Sequence, residues 1–174
     1  GEFHQVHTRL IGEYNFPNAL AAVTIGHFFG VEAEKIDKAL NEYEPRNNRS
    51  QLKKTADNTL IIDAYNANPT SMLAAIGNFR NMQAEKKMLI LGDMRELGKD
   101  SAEEHQRIVD YLEEYGFEDV ILVGELFAAT RHTYTTYPDA PALIAALQKH
   151  KPCRKTILIK GSNGIKLNTV VDYL

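Results

Sequence analysis

Thr59-Leu60-Ile61-Ile62-Asp63-Ala64-Tyr65-Asn66-Ala67-Asn68-Pro69-Thr70-Ser71-Met72 decides the fold. A short apolar run ends on an Asp, crosses a polar loop without glycine, and enters a helix-period segment beside a proline. That is a strand leading into a helix. The pattern recurs down the chain, with apolar runs at 59–62, 88–91, 120–123 and 156–159. Helix-period segments occupy 71–82, 102–115 and 140–150, and a last one starts near Ile165. Near-continuous apolar strands separated by helices predict an α/β fold, a mostly parallel sheet with helices on both faces.

Upstream the pattern differs. Residues 3–11 alternate loosely and read as a strand. Residues 15–29 read as a helix with Asn15 at its N-cap and Gly30 as its stop. Residues 32–43 read as a second helix with Val31, Ile36, Ala39 and Leu40 turned inward. The polar, proline-containing stretch Glu44-Pro45-Arg46-Asn47-Asn48 is the best linker, which divides the chain into 1–45 and 46–174.

Composition narrows the function classes. The 174 residues are 44% hydrophobic and 25% charged, with formal net charge −3, a mixture able to build a core. No global positive field draws the chain to nucleic acid or an anionic membrane. No apolar run approaches the ~20 residues of a membrane span. The single Cys153 makes no internal disulfide, which fits a cytoplasmic setting. The amino terminus does not read as a signal peptide. Histidines at 4, 7, 27, 132 and 150 show no metal-ligand spacing, so no metal site is expected in this chain.

Ligands of parallel sheets bind beyond the carboxyl ends of the strands, so the loops there carry the chemistry. Asp63, Asn66, Asn68 and Thr70 can hold a polar ligand, because Asn offers both donors and acceptors. The same residues also suit an ordinary capped turn. Gly92-Asp93-Met94-Arg95-Glu96-Leu97-Gly98 follows the second run, with Ser101, Glu104 and His105 beyond. A capping box of Ser101 and Glu104 accounts for Glu104 but not for Asp93 or Glu96. Lys160-Gly161-Ser162-Asn163-Gly164 can receive an anion at a helix start or be a solvated turn. Gly124-Glu125 reads as structural. Asn15 and Asn18 stand one helical turn apart, and a cap uses one of them.

Together, residues 12–22, Arg49, the 63–72 run, the 91–98 run with His105, and Lys160-Gly161-Ser162 resemble the Mur ligase family. The resemblance is strongest to the branch that joins D-alanyl-D-alanine to UDP-N-acetylmuramoyl-tripeptide. It implies a Rossmann-like domain over 46–174, preceded by a remnant of the central ATPase domain over 1–45. Amino-terminal and central domains of the same enzyme would be the remaining partners. It further implies a cytoplasmic, ATP- and Mg2+-dependent ligase of peptidoglycan synthesis, serving cell shape and division. Arg49 and Asp63 would be catalytic, and Asn15, Arg49 and Asp63 would contact ATP. Asn66, Asn68 and Thr70 would line the substrate cleft, and Asp93, Glu96, Lys160 and Ser162 would receive the dipeptide. Tyr14 stands where members often carry His, and Asn163 where they often carry Arg. The second departure leaves Lys160 as the cation for the dipeptide carboxylate.

The family's G-x-x-x-x-G-K-[ST] phosphate loop is nowhere in these residues. The chain alone is therefore expected to be inactive and to hold no cofactor tightly. Two other classes compete. A nicotinamide-dependent oxidoreductase fits the βα pattern, but it requires G-x-G-x-x-G after the first strand, where this chain has no glycine. A non-catalytic α/β interaction module is the third reading.

Overall fold

The computed structural model describes residues 6–12, 15–45 and 48–174. Its strands are β1 Gln51–Lys54, β2 Thr59–Asp63, β3 Lys87–Gly92, β4 Val120–Val123, β5 Thr135–Tyr137 and β6 Thr156–Lys160. They form one sheet in the order β1-β2-β6-β3-β4-β5. Every neighbouring pair is parallel except β1 with β2. Parallel neighbours need long crossovers. Helices α3 Pro69–Asn81, α4 Ser101–Glu114, α5 Glu125–Ala128 and α6 Ala140–Leu147 lie in them. A 3-10 segment, Leu167–Tyr173, follows β6.

Side chains alternate across each strand, so the four apolar runs feed two cores. Ile61, Leu89, Leu91, Leu122 and Leu158 pack with residues of α3 and α4. Leu60, Ile62, Ile90, Ile157 and Ile159 pack on α6 and the 3-10 segment. Burying one such side chain stabilises by about 1.5–3 kcal/mol.

The edges depart from expectation. β1 is polar at three of its four residues and β5 is three residues long, so neither shows as an apolar run. Residues 6–11 form no strand; the expected remainder, 3–5, lies outside the described residues. The 3-10 turn Gly98–Asp100 leads straight into α4, whose N-cap position is Asp100 in a helical conformation. No extended residue is left to build a capping box from Ser101 and Glu104. The box forms instead at α3, between Asn68 and Ser71.

Ahead of the sheet lie two further helices, Phe16–Phe28 and Ala33–Glu42, neither of which buries a residue. Ile36 and Leu40 are half-buried, but Val31 and Ala39 are exposed rather than inward. Phe28 and Phe29 are 83% and 76% exposed. The pair is one layer short of a core. Few contacts tie it to the sheet: Asn15 donates to Ser50 Oγ, and Ile11 leans on the main apolar cluster. Residues 46–174 are therefore expected to fold alone. Urea unfolding followed by circular dichroism should give one cooperative transition. A non-cooperative slope would show that the division at Pro45 is misplaced.

Candidate functional site

The carboxyl ends of β2 and β6 lie side by side, with Asp63 in register with Lys160. Lys160 is 1% exposed, and its ammonium donates to Asp63 Oδ2 at 2.6 Å and to the Asn66 carbonyl at 3.1 Å. The other Asp63 oxygen accepts the Ser50 N–H at 3.3 Å. Ser50 Oγ in turn accepts from Asn15 Nδ2 at 3.2 Å, and the same amide donates to the Ile11 carbonyl at 2.8 Å. One chain of hydrogen bonds thus runs from Asn15 through Ser50 and Asp63 to Lys160 and the Asn66 backbone. Asn15 occupies the N-cap position of the first helix, but its side chain makes no cap bond. Asn18 donates to its oxygen at 3.1 Å, which accounts for the second Asn.

Arg49 is exposed beside this chain, its guanidinium 3.9 Å from the Tyr65 ring centroid. Such stacking holds a planar guanidinium in place while leaving its edge free for an anion. Asn48 and Ser50 on either side have φ of 53° and 47°. This left-handed backbone is costly for residues with a Cβ, and it turns the chain sharply at Arg49. A groove of about 630 Å³ opens there, with Asn15, Asn18, Arg49 and Ser50 on its polar side and Ala22 and Ile36 on its apolar side.

The loop after β3 is built differently. Asp93 is 4% exposed, and its two carboxylate oxygens accept the N–H groups of Leu126 and Phe127 at 3.1 and 2.9 Å. It caps α5. Gly124 makes room for it, since an added Cβ there would come within 2.2 Å of the carboxylate, and its φ of 122° also calls for glycine. The structural reading of Gly124 holds. Asp93, by contrast, has no oxygen turned to a ligand, because both are committed to the α5 backbone.

His105 is fully buried. Its Nε2 accepts the Met94 N–H at 3.0 Å, and Nδ1 stands 2.6 Å from the Ser101 carbonyl, which assigns the proton to Nδ1. It therefore ties the β3 loop to α4. Ser162 performs a similar task between loops, because its N–H donates to the Asp93 carbonyl and its Oγ accepts the Arg95 N–H at 2.8 Å. Glu96 is exposed with φ of 67°. Asn68 Oδ1 is taken by the Ser71 N–H at 2.8 Å and Asn66 Oδ1 by the Ala67 N–H at 2.9 Å; Asn66 on the loop and Thr70 in the first turn of α3 are exposed.

The structure thus brings Asn15, Arg49, Asp63, Asn66 and Lys160 together, with Asp93, Ser162 and Glu96 on the neighbouring loops. Lys160 and Asp93 are internal supports, since their charged atoms are buried and paired. Ser50 and Tyr65 were not singled out from sequence. A Ser beside a linker and a Tyr in a polar loop carry no signal until the backbone sets them against Asp63 and Arg49. Tyr14 lies outside the described residues. Among the described residues no group of three or more His, Cys, Asp and Glu is arranged to hold a metal ion. No described helix is long and apolar enough to cross a membrane.

Known proteins with this arrangement agree on its kind. The UDP-N-acetylmuramoyl-tripeptide--D-alanyl-D-alanine ligase of Bacillus subtilis is 34% identical over 95% of this chain, which spans 38% of that protein's length. A crystal structure of MurF from Acinetobacter baumannii superposes with a TM-score of 0.79 at 29% identity, covering 96% of this chain and 39% of that one. MurF from Thermotoga maritima, solved in complex with ADP, shares the fold with a TM-score of 0.78 at 18% identity, over 94% of this chain and 38% of its own. An oxidoreductase is not favoured by any of these likenesses. The model of the Mur ligase glutamate ligase domain matches residues 48–163, which takes in the sheet from β1 to β6 and the loops at its carboxyl edge; the chain belongs to the Mur ligase family.

Proposed function

We propose that this chain is the carboxy-terminal part of a cytoplasmic, ATP-dependent peptide ligase of peptidoglycan precursor synthesis. The reaction joins D-alanyl-D-alanine to UDP-N-acetylmuramoyl-tripeptide. The observation that carries this reading is the stacked, exposed Arg49 beside the Asn15–Ser50–Asp63–Lys160 hydrogen-bond chain. It presents one aimed cation at the mouth of a groove, on the edge of the sheet where ligands of such folds bind.

In the reaction the γ-phosphoryl group of ATP passes to the tripeptide carboxylate, giving an acyl phosphate and ADP. The amine of the dipeptide attacks the acyl carbon, a C–N bond forms, the C–O bond to phosphate breaks, and the amine loses a proton. Positioning and charge neutralisation carry such chemistry, and no protein nucleophile is required. Arg49 receives phosphate oxygens with its fork. Asn15 and the groove beside it take the nucleotide side. Asp63 faces the cleft with one oxygen held by the Ser50 N–H, and the Lys160 ammonium holds the other in place. Asn66 and Thr70 line the substrate side. Magnesium, which such phosphoryl transfers employ, finds its ligands outside this chain. The exposed apolar side of the first two helices meets the rest of the enzyme, amino-terminal and central domains included.

The test separates the chain from the whole. Full-length enzyme supplied with both peptide substrates should release phosphate and form the pentapeptide product. The 174-residue chain should turn nothing over. It should bind ATP in the millimolar range or weaker, because exposed charge contacts contribute about 0–1 kcal/mol each against an association cost of at least ~4 kcal/mol. Micromolar calorimetric binding of ATP by the chain, or a full-length enzyme indifferent to D-alanyl-D-alanine, would overturn the assignment.

A further inference from the structure

The free carboxylate of a dipeptide suits a cation, and Lys160, at the sheet's ligand edge, is already engaged. Its ammonium is buried between Asp63 and the Asn66 carbonyl. Arg95 is placed otherwise. Its backbone N–H donates to Ser162 Oγ at 2.8 Å, and the Met94 N–H before it is held by His105 at 3.0 Å. Both bonds fix the loop from which its side chain leaves. That side chain crosses to the loop after β6 and lies on Gly164, where an added Cβ would come within 3.0 Å of Nε and 3.1 Å of Cζ. Glycine there offers a flat backbone bed, which any side chain would disturb.

Arg95 is nonetheless exposed, and its guanidinium has neither an ion-pair nor a hydrogen-bond partner among the described residues. The neighbouring Glu96 does not pair with it either. The fixed backbone sets where the guanidinium reaches, and its unpaired head has its donors available to an anion. Its fork matches a carboxylate with two parallel N–H···O bonds.

We propose that Arg95 binds the free carboxylate of the incoming amine substrate and so points its amino group back toward the cleft between the loops after β2 and β6. This rests on the ligase reading above. His105 and Ser162 are then positioning residues, which act through the Arg95 backbone.

The experiment compares D-alanyl-D-alanine with its carboxamide in the full-length enzyme, for wild type and Arg95→Gln. The carboxamide keeps the size and the nucleophile but lacks the charge. Wild type should favour the acid. Arg95→Gln should raise KM for the acid about 10- to 100-fold, the range of a lost charge-assisted contact, with kcat changed far less. Its KM for the carboxamide should stay near the wild-type value. Thermal unfolding of the 174-residue chain should not move, because the head group makes no ion pair or hydrogen bond among the described residues. An equal rise for acid and carboxamide, or no rise for either, overturns the role of Arg95. If wild type consumes neither amine, the ligase reading itself fails, and that outcome is visible before any variant is made.

Discussion

Lys160→Ala is expected to destabilise the 174-residue chain by about 3–5 kcal/mol, the cost of leaving a buried partner charge uncompensated. Asp63, with a side chain only 14% exposed, would lose the ammonium that pairs with it at 2.6 Å. The Asn66 carbonyl would lose its donor as well. For a chain of this length such a loss lowers Tm by roughly 6–20 °C. Circular dichroism melts of wild type, Lys160→Ala, Asp63→Asn and the double variant check it. The double variant should recover part of the loss, because it removes both charges of the pair. A shift of a degree or two for either single variant would show that water reaches the pair and that Lys160 is free for a ligand after all.

Arg49→Ala should act the other way, on turnover and not on stability. The side chain is exposed and its only described contact is the Tyr65 ring, so the melt should stay within error of wild type. In the full-length enzyme, acyl-phosphate formation should slow about 10²- to 10³-fold, the usual cost of removing a pre-aimed group that neutralises developing charge. Arg49→Lys should recover little of it, since an ammonium offers no bidentate fork and stacks poorly. Tyr65→Phe should be close to wild type and Tyr65→Ala intermediate, because only the second removes the ring under the guanidinium. Phosphate release measured for the four variants decides it. Wild-type turnover by Arg49→Ala would remove Arg49 from the phosphate site.

The parallel interior of the sheet was legible because β2, β3, β4 and β6 are buried on both faces and carry the apolar runs that this requires. The edges were not. Gln51-Leu52-Lys53-Lys54 has one face in water, and Thr135-Thr136-Tyr137 is too short to show a period. At the site, sequence points to the loops after the strands but cannot say which polar groups look outward. Asp93 and Glu96 stand three residues apart in one loop, yet the first is sealed under α5, whose amides come from 33 and 34 residues further on. Lys160 meets Asp63 across 97 residues. Whether such a charge is a support or a ligand depends on a partner that local pattern does not contain. Ser50 is the same case in reverse, an unremarked side chain that becomes the junction between Asn15 and Asp63.

The strand order has a consequence for the birth of the molecule. β6 is the last strand made, yet it lies in the middle of the sheet, hydrogen-bonded to β2 on one side and β3 on the other. Until residue 160 has left the ribosome, β2 and β3 have no common neighbour, and the two cores cannot close over their inner faces. Until β6 emerges, β2 and β3 must therefore wait with open strand edges, the state in which chains most readily associate with one another. Closing contacts so distant in sequence also makes for slow folding. Emergence of β6, and not the growth of the first strands, sets the moment at which this sheet becomes one piece.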